Sequence, residues 1–190
     1  MNTTAKQSSG KRRDFDFYPT PAKATHVLFD YAPFIKGCVL EPCSGDGAIA
    51  SVIEERLQRT IITNDIDIRS QADFHLDAAI ASSWEKFPQP DWIVTNPPFN
   101  EALPILQNSF EKTKLGVAFL LRLSFLEPTR KRAAWLRFIQ QYQMMELIFG
   151  QPRISFTGDG KVDSVTHLWM VWCKNKTTAF DRYYVTNWNQ

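Results

Sequence analysis

Two spacings of apolar residues alternate along this chain. In some short runs apolar residues stand side by side, as in a strand buried on both faces. These are CVLE (38–41), TIITND (60–65), FHLD (74–77), DWIVT (91–95), GVAFLLRL (116–123), MELIF (145–149) and SVTHLWMVWC (164–173). Between them apolar residues return every three or four positions, the period of one helix face. Ala24, Val27, Leu28 and Tyr31 form such a stripe behind Thr20-Pro21, which reads as an N-cap and a first-turn proline. Ile49, Val52, Ile53 and Leu57 form a second stripe, and Ala102, Leu103, Leu106 and Phe110 a third, with Pro104 tolerable only near its first turn. A fourth helix is predicted within 127–142, with Trp135, Leu136, Ile139 and Tyr142 on one side.

Strands alternating with helices predict an α/β fold, a mostly parallel sheet covered on both faces. The last two runs have no helical pattern between them. They must pair as a hairpin, so one of the two is antiparallel to its partner. Residues 1–14 are polar and carry Lys11-Arg12-Arg13, which reads as a flexible tail, with 15–190 as one domain. Only 17 residues follow Cys173, too few for a separate target-recognition domain.

Composition narrows the function classes. The longest apolar stretch, 115–126, is too short to span a bilayer and contains Arg122, so no membrane partner is expected. Cys38, Cys43 and Cys173 show no CxxC spacing, and His26, His75 and His167 are scattered. This pattern suits a reducing cytoplasm and supplies neither a disulfide framework nor a metal site. A net charge of +2 is too small to draw nucleic acid by bulk attraction, but residues 122–137 hold Arg122, Arg130, Lys131, Arg132 and Arg137 against Glu127, five minus one or +4. That stretch is either a solvated helix face or a phosphate-contacting patch.

The chemistry concentrates at strand ends. EPCSGDG (41–47) follows the first strand and opens a helix, where an open parallel sheet binds a ligand. Asp65 follows at the tip of the second strand, at the separation suited to ribose hydroxyls. Glu41 and Asp46 would repel a pyrophosphate and suit a ligand with a cationic end, which points to S-adenosylmethionine. TNPPFN (95–100) then ends the fourth run with an amide, two prolines and an aromatic.

EPCSGDG, NDID, LDAA and NPPF, in this order and spacing, resemble class I S-adenosylmethionine-dependent methyltransferases, and within them the small phage- and prophage-type DNA adenine N6-methyltransferases. The resemblance covers roughly residues 15–173. It implies a Rossmann-like sheet of seven strands, the last inserted antiparallel, and S-adenosyl-L-methionine as cofactor. Tyr18, Thr20 and Pro21 would flank its methionine carboxylate. Glu41, Cys43, Gly45 and Gly47 would line the methionine and ribose, Asp65 would take the ribose hydroxyls, and Ile66 would lie against the adenine ring. Asp77, with Ala78 beside it, would accept from the adenine amino group; Asp73 is a weaker alternative.

The same resemblance gives Asn96-Pro97-Pro98-Phe99 a catalytic role. The exocyclic nitrogen of adenine is a poor nucleophile because its lone pair is delocalised. The Asn96 side-chain oxygen and the Pro97 carbonyl can accept its two N–H bonds, and Pro98 restrains Pro97 to an extended conformation. Phe99 would stack on a base flipped out of its helix. Arg153 and Phe156, before the last strand, are candidate contacts to that base. Gly158-Asp159-Gly160 reads as a turn, and Phe180, Tyr183, Tyr184 and Trp188 as packing residues. The expected substrate is DNA, with specificity residing in loops or supplied by a partner protein. The alternatives are an RNA adenine or guanine methyltransferase, a protein glutamine methyltransferase, or a non-catalytic binding subunit.

Overall fold

The computed structural model describes residues 19–139, 144–151, 153, 154, 156, 164–174 and 182–187. The predicted tail, Tyr18, the turn at 158–160, Phe180 and Trp188 lie outside them.

The described strands form one sheet: β1 (Val39–Glu41), β2 (Ile62–Thr63), β3 (Trp92–Thr95), β4 (Gly116–Arg122), β5 (Met144–Gln151), β6 (His167–Cys173) and β7 (Arg182–Asn187). Their order is β2-β1-β3-β4-β6-β5-β7. Helices α1 (Ala22–Tyr31), α2 (Ala48–Leu57), α3 (Ala102–Lys112) and α4 (Arg130–Ile139) precede or connect them. Pairing is parallel from β2 through β1 and β3 to β4, and between β5 and β7. As expected from the missing helix, β5 and β6 pair antiparallel; β6 is inserted between β4 and β5 and opposes both.

The strands obey the period-two rule on a sheet covered on both sides. Trp92 and Val94 of β3, Ala118 and Leu120 of β4, and Trp169 and Val171 of β6 enter the core shared with α1 and α2. Their neighbours Ile93, Val117, Phe119, Leu121, Leu168, Met170 and Trp172 enter the opposite core, with Leu106 and Phe110 of α3 and Trp135 and Ile139 of α4. Both faces are buried, which is why these runs show little alternation in the sequence.

Three expectations change. FHLD is not a strand; it keeps one isolated bridge, Asn64 to Phe74. The reason lies in Asn64, whose side chain takes both backbone groups of Leu76 and so stands in for a ladder. A strand not read from the sequence, β7, instead pairs with β5 in parallel, so the antiparallel strand, β6, is not the last of the seven as expected. Helix α1 begins at Ala22 with Pro21 as its N-cap, while Thr20 makes no cap. A residue between two prolines is held extended, and the Thr20 hydroxyl is engaged elsewhere.

The chain leaves β1 for β2 on one side and returns to β3 on the other. The crevice between β1 and β3, at their carboxyl ends, is therefore the topological switch point where such sheets bind ligands.

Candidate active site

A cleft of about 1420 Å³ opens at that switch point. Its walls bring together Thr20, Glu41, Cys43, Gly45, Gly47, Asp65, Ile66, Asp77, Ala78, Asn96, Pro97, Pro98 and Phe99, together with Asp73. These residues come from stretches spread between positions 20 and 99.

The glycine loop is held in place by backbone bonds. Gly45 and Gly47 both have positive φ, at 55° and 81°. A Cβ at Gly47 would meet nothing within 4 Å, so its absence permits the turn and leaves open space above it. The Gly45 N–H donates to Asp65 Oδ2 at 2.7 Å, and the Asp67 N–H to Asp65 Oδ1 at 2.8 Å. Asp65 thus fastens the loop to the end of β2, and each of its oxygens retains acceptor capacity towards the cleft.

Asn64, fully buried, is the hub behind this arrangement. Its amide donates to the carbonyls of Pro42 at 2.8 Å and Leu76 at 3.0 Å, and its Oδ1 accepts the Leu76 N–H at 2.9 Å. Its backbone bonds Glu41 and Ser44. One side chain therefore sets the glycine loop and the Asp77 segment in fixed relation. Asp73 has a parallel task, accepting the Thr63 N–H and hydroxyl on the sheet's edge strand. Asp77 Oδ1 accepts the Ala79 N–H at 2.8 Å, within a turn that places Asp77 on the cleft wall. Ile66 is half exposed there, a large apolar surface with no core to cover it.

Acid chemistry divides the floor of the cleft. Glu41 is only 1% exposed, and its Oε2 has no hydrogen-bond partner. Burial pushes its carboxyl well above the usual range; the Ala50 amide opposes this, and Asp65 and Asp46 add to it. The orphan oxygen fits a ligand that brings its own donor and positive charge. Burial, then Asp65 and Glu41, likewise push the Cys43 thiol far up, so Cys43 is a neutral wall residue and not a nucleophile.

At the tip of β3, the Asn96 amide nitrogen donates to Thr20 Oγ1 at 3.0 Å. That bond turns Oδ1 the other way. The Pro98 carbonyl accepts the Glu101 N–H at 3.0 Å, whereas no backbone N–H among the described residues donates to the Pro97 carbonyl. Phe99, next in line, lies under the guanidinium of Arg122, whose Cζ is 3.9 Å from the ring centroid. His167 stands 5.3 Å from the same ring, and Phe156 meets His167 edge-on at 4.8 Å.

Three candidates lie off the cleft wall. Pro21 serves the start of α1. Arg153 Nη1 donates to the Ser164 carbonyl at 2.9 Å. Phe156 is buried in the core and meets His167, which in turn faces Phe99. Conversely, sequence reading passed over Asn64 and did not place Arg122 at the site. The available signals were an amide at a strand end and a lone arginine closing an apolar strand.

No family model matches the sequence, and no curated protein matches it by sequence comparison. Solved structures do match. A protein assigned as a modification subunit of a type I restriction enzyme from Vibrio vulnificus aligns over 89% of this chain and 47% of its own, at 13% identity and TM-score 0.65. A protein assigned as an RNA methyltransferase from Pyrococcus horikoshii aligns over 85% and 88%, at 14% identity and TM-score 0.64. One assigned as a class I S-adenosylmethionine-dependent methyltransferase from Listeria monocytogenes aligns over 94% and 68%, at 12% identity and TM-score 0.62. The chain spans about half the length of the Vibrio subunit. Sheet order, switch-point cleft and these neighbours agree: the chain has the fold of the class I S-adenosylmethionine-dependent methyltransferases.

Proposed function

We propose that this protein is an S-adenosylmethionine-dependent methyltransferase acting on the exocyclic amino group of adenine in DNA. The observation that carries the reading is the placement of Asn96, Pro97 and Phe99 on one cleft with Gly45, Gly47, Glu41 and Asp65. When bound, the cofactor supplies a methyl group on a positively charged sulfur. Glu41 holds the cationic methionine end with its otherwise unpartnered oxygen, Asp65 holds the ribose, and Ile66 and Asp77 hold the adenine face and edge.

Asn96 Oδ1 and the Pro97 carbonyl accept the two N–H groups of the target amine. They draw it towards a tetrahedral geometry and stabilise the positive charge that develops on the nitrogen. Both acceptors are fixed before the substrate arrives, so little reorganisation accompanies the reaction. The methylated nitrogen is then acidic enough to lose its proton without a dedicated base. Phe99 supplies the stacking surface for an extruded base, offsetting part of the few kcal/mol that extrusion costs.

The test is a transfer assay with labelled S-adenosylmethionine and, separately, duplex DNA, single-stranded DNA, ribosomal RNA and a protein extract. Digestion of the product identifies the acceptor. The expected result is label in N6-methyladenine from DNA. Label confined to RNA or to glutamine replaces the substrate, and absence of cofactor binding by calorimetry overturns the enzymatic reading.

A further inference from the structure

The ring expected to stack on the target base already carries a guanidinium. Arg122 is the last residue of β4 and closes six apolar positions with a cation. Its Cζ lies over Phe99, 3.9 Å from the ring centroid. Its Nε is buried with no hydrogen-bond partner, and no carboxylate among the described residues forms an ion pair with it. A partly buried cation with an unmade bond is in a poor resting state unless an anion arrives. A second neighbour of Phe99, His167, is a strand residue only 1% exposed, paired in register with Arg122 and packed against Phe156. Of the two, only Arg122 has a long side chain able to leave.

We propose that Arg122 is a phosphate-binding residue of the substrate site, which lies over Phe99 as the structure shows and exchanges that ring for the phosphodiester beside an extruded base. This rests on the methyltransferase reading and adds to it the chemistry of the substrate, a phosphodiester strand. Two comparisons favour the exchange. A purine stacked on a phenyl ring is held at least comparably to a guanidinium over it, so the base replaces the contact that is given up. The displaced guanidinium then gains a charge-assisted, bidentate partner it lacks at rest. A glutamine side chain offers no such anion, so the residue selects for nucleic acid over protein.

The experiment measures binding of fluorescein-labelled mixed-sequence DNA duplex, DNA single strand and RNA to the full chain with S-adenosylhomocysteine present, across a salt series. R122M should weaken binding about tenfold and reduce the salt slope by about one phosphate contact, while R122K keeps the slope. A second arm uses the unaltered protein. A neutral methylphosphonate beside the methylated adenine should reproduce the loss, and it should add nothing in R122M. The DNA and RNA arms identify which strand supplies the phosphate. An R122M protein with unchanged affinity and slope overturns the assignment, as does a methylphosphonate without effect. Loss of S-adenosylhomocysteine binding in both R122M and R122K also overturns it, making Arg122 a scaffold for Phe99. If the unaltered protein labels only protein substrates, the nucleic-acid reading itself falls. If it methylates nucleic acid and R122M keeps its slope, only the role of Arg122 falls.

Discussion

The Asn96 amide nitrogen donates to the Thr20 hydroxyl at 3.0 Å, across 76 residues of chain. A side-chain amide can present either end to a substrate, and only its oxygen can accept from an amine. Here Thr20 takes the nitrogen end, which leaves the oxygen free for a substrate. Thr20 was expected to flank the cofactor; it is 4% exposed and holds the amide nitrogen of Asn96, the residue proposed to receive the target nitrogen.

Removing the oxygen of Asn96 should be severe. Asn96→Ala is expected to lower turnover about a hundredfold or more while leaving cofactor affinity nearly intact. Thr20→Val keeps the shape and removes the acceptor, so turnover should fall about tenfold, with Thr20→Ser restoring it. Steady-state kinetics beside calorimetric cofactor binding would check both. Equal losses of cofactor affinity and turnover in Thr20→Val would refute the orienting role.

Glu41 predicts a pH dependence. Its carboxyl is raised in the folded chain, above the value near 4.3 expected when unfolded. The folded state therefore binds this proton more tightly than the unfolded state. The stabilising contribution is full below the unfolded value and is lost as pH rises through the raised one. Glu41→Gln removes this group's part of the decline. Thermal unfolding from pH 4.5 to 8.5 should show the variant gaining on the unaltered protein as pH rises, and parallel profiles would contradict the assignment. A cationic ligand should expel the Glu41 proton on binding. Calorimetry in buffers of different ionisation enthalpy should detect up to about one proton released, and none in Glu41→Gln.

Asp65 carries two loads. Asp65→Ala removes the acceptor for Gly45 and Asp67 as well as the one offered to ribose, so cofactor affinity should fall on the order of tenfold or more. Asp65→Asn keeps one carbonyl oxygen and should fall between. Turnover at saturating cofactor should change less than affinity, and the reverse order would argue against the ribose role.

Asn64→Ala would leave the Pro42 and Leu76 carbonyls and the Leu76 N–H without their buried partner. Unsatisfied buried groups of this kind cost about 1–3 kcal/mol each. With about 2–4 °C per kcal/mol for a chain of this size, melting should drop by several degrees. Cofactor affinity should fall with it, because the loop and the Asp77 segment lose their common tie. A melting temperature within a degree of the unaltered protein would rule out the hub.

Sequence alone determined the alternation of strands and helices, the hairpin before the C-terminus, and the clustering of chemistry at strand ends. It did so because period and turn chemistry are local. Apolar spacing reports which face of an element is buried, and glycine or proline reports backbone conformation at its own position. The tertiary structure decided which distant residues serve one another. Thr20 turns to Asn96 and not to its own helix, Asn64 replaces a strand ladder at Leu76, and β7 joins the sheet beyond β5. Arg122 reaches Phe99 because β4 lies beside β3. The raised carboxyl of Glu41 follows from the same source. Burial and the nearness of other charges depend on strand order and on how two cores pack against one sheet, and neither is written in the spacing of neighbouring residues.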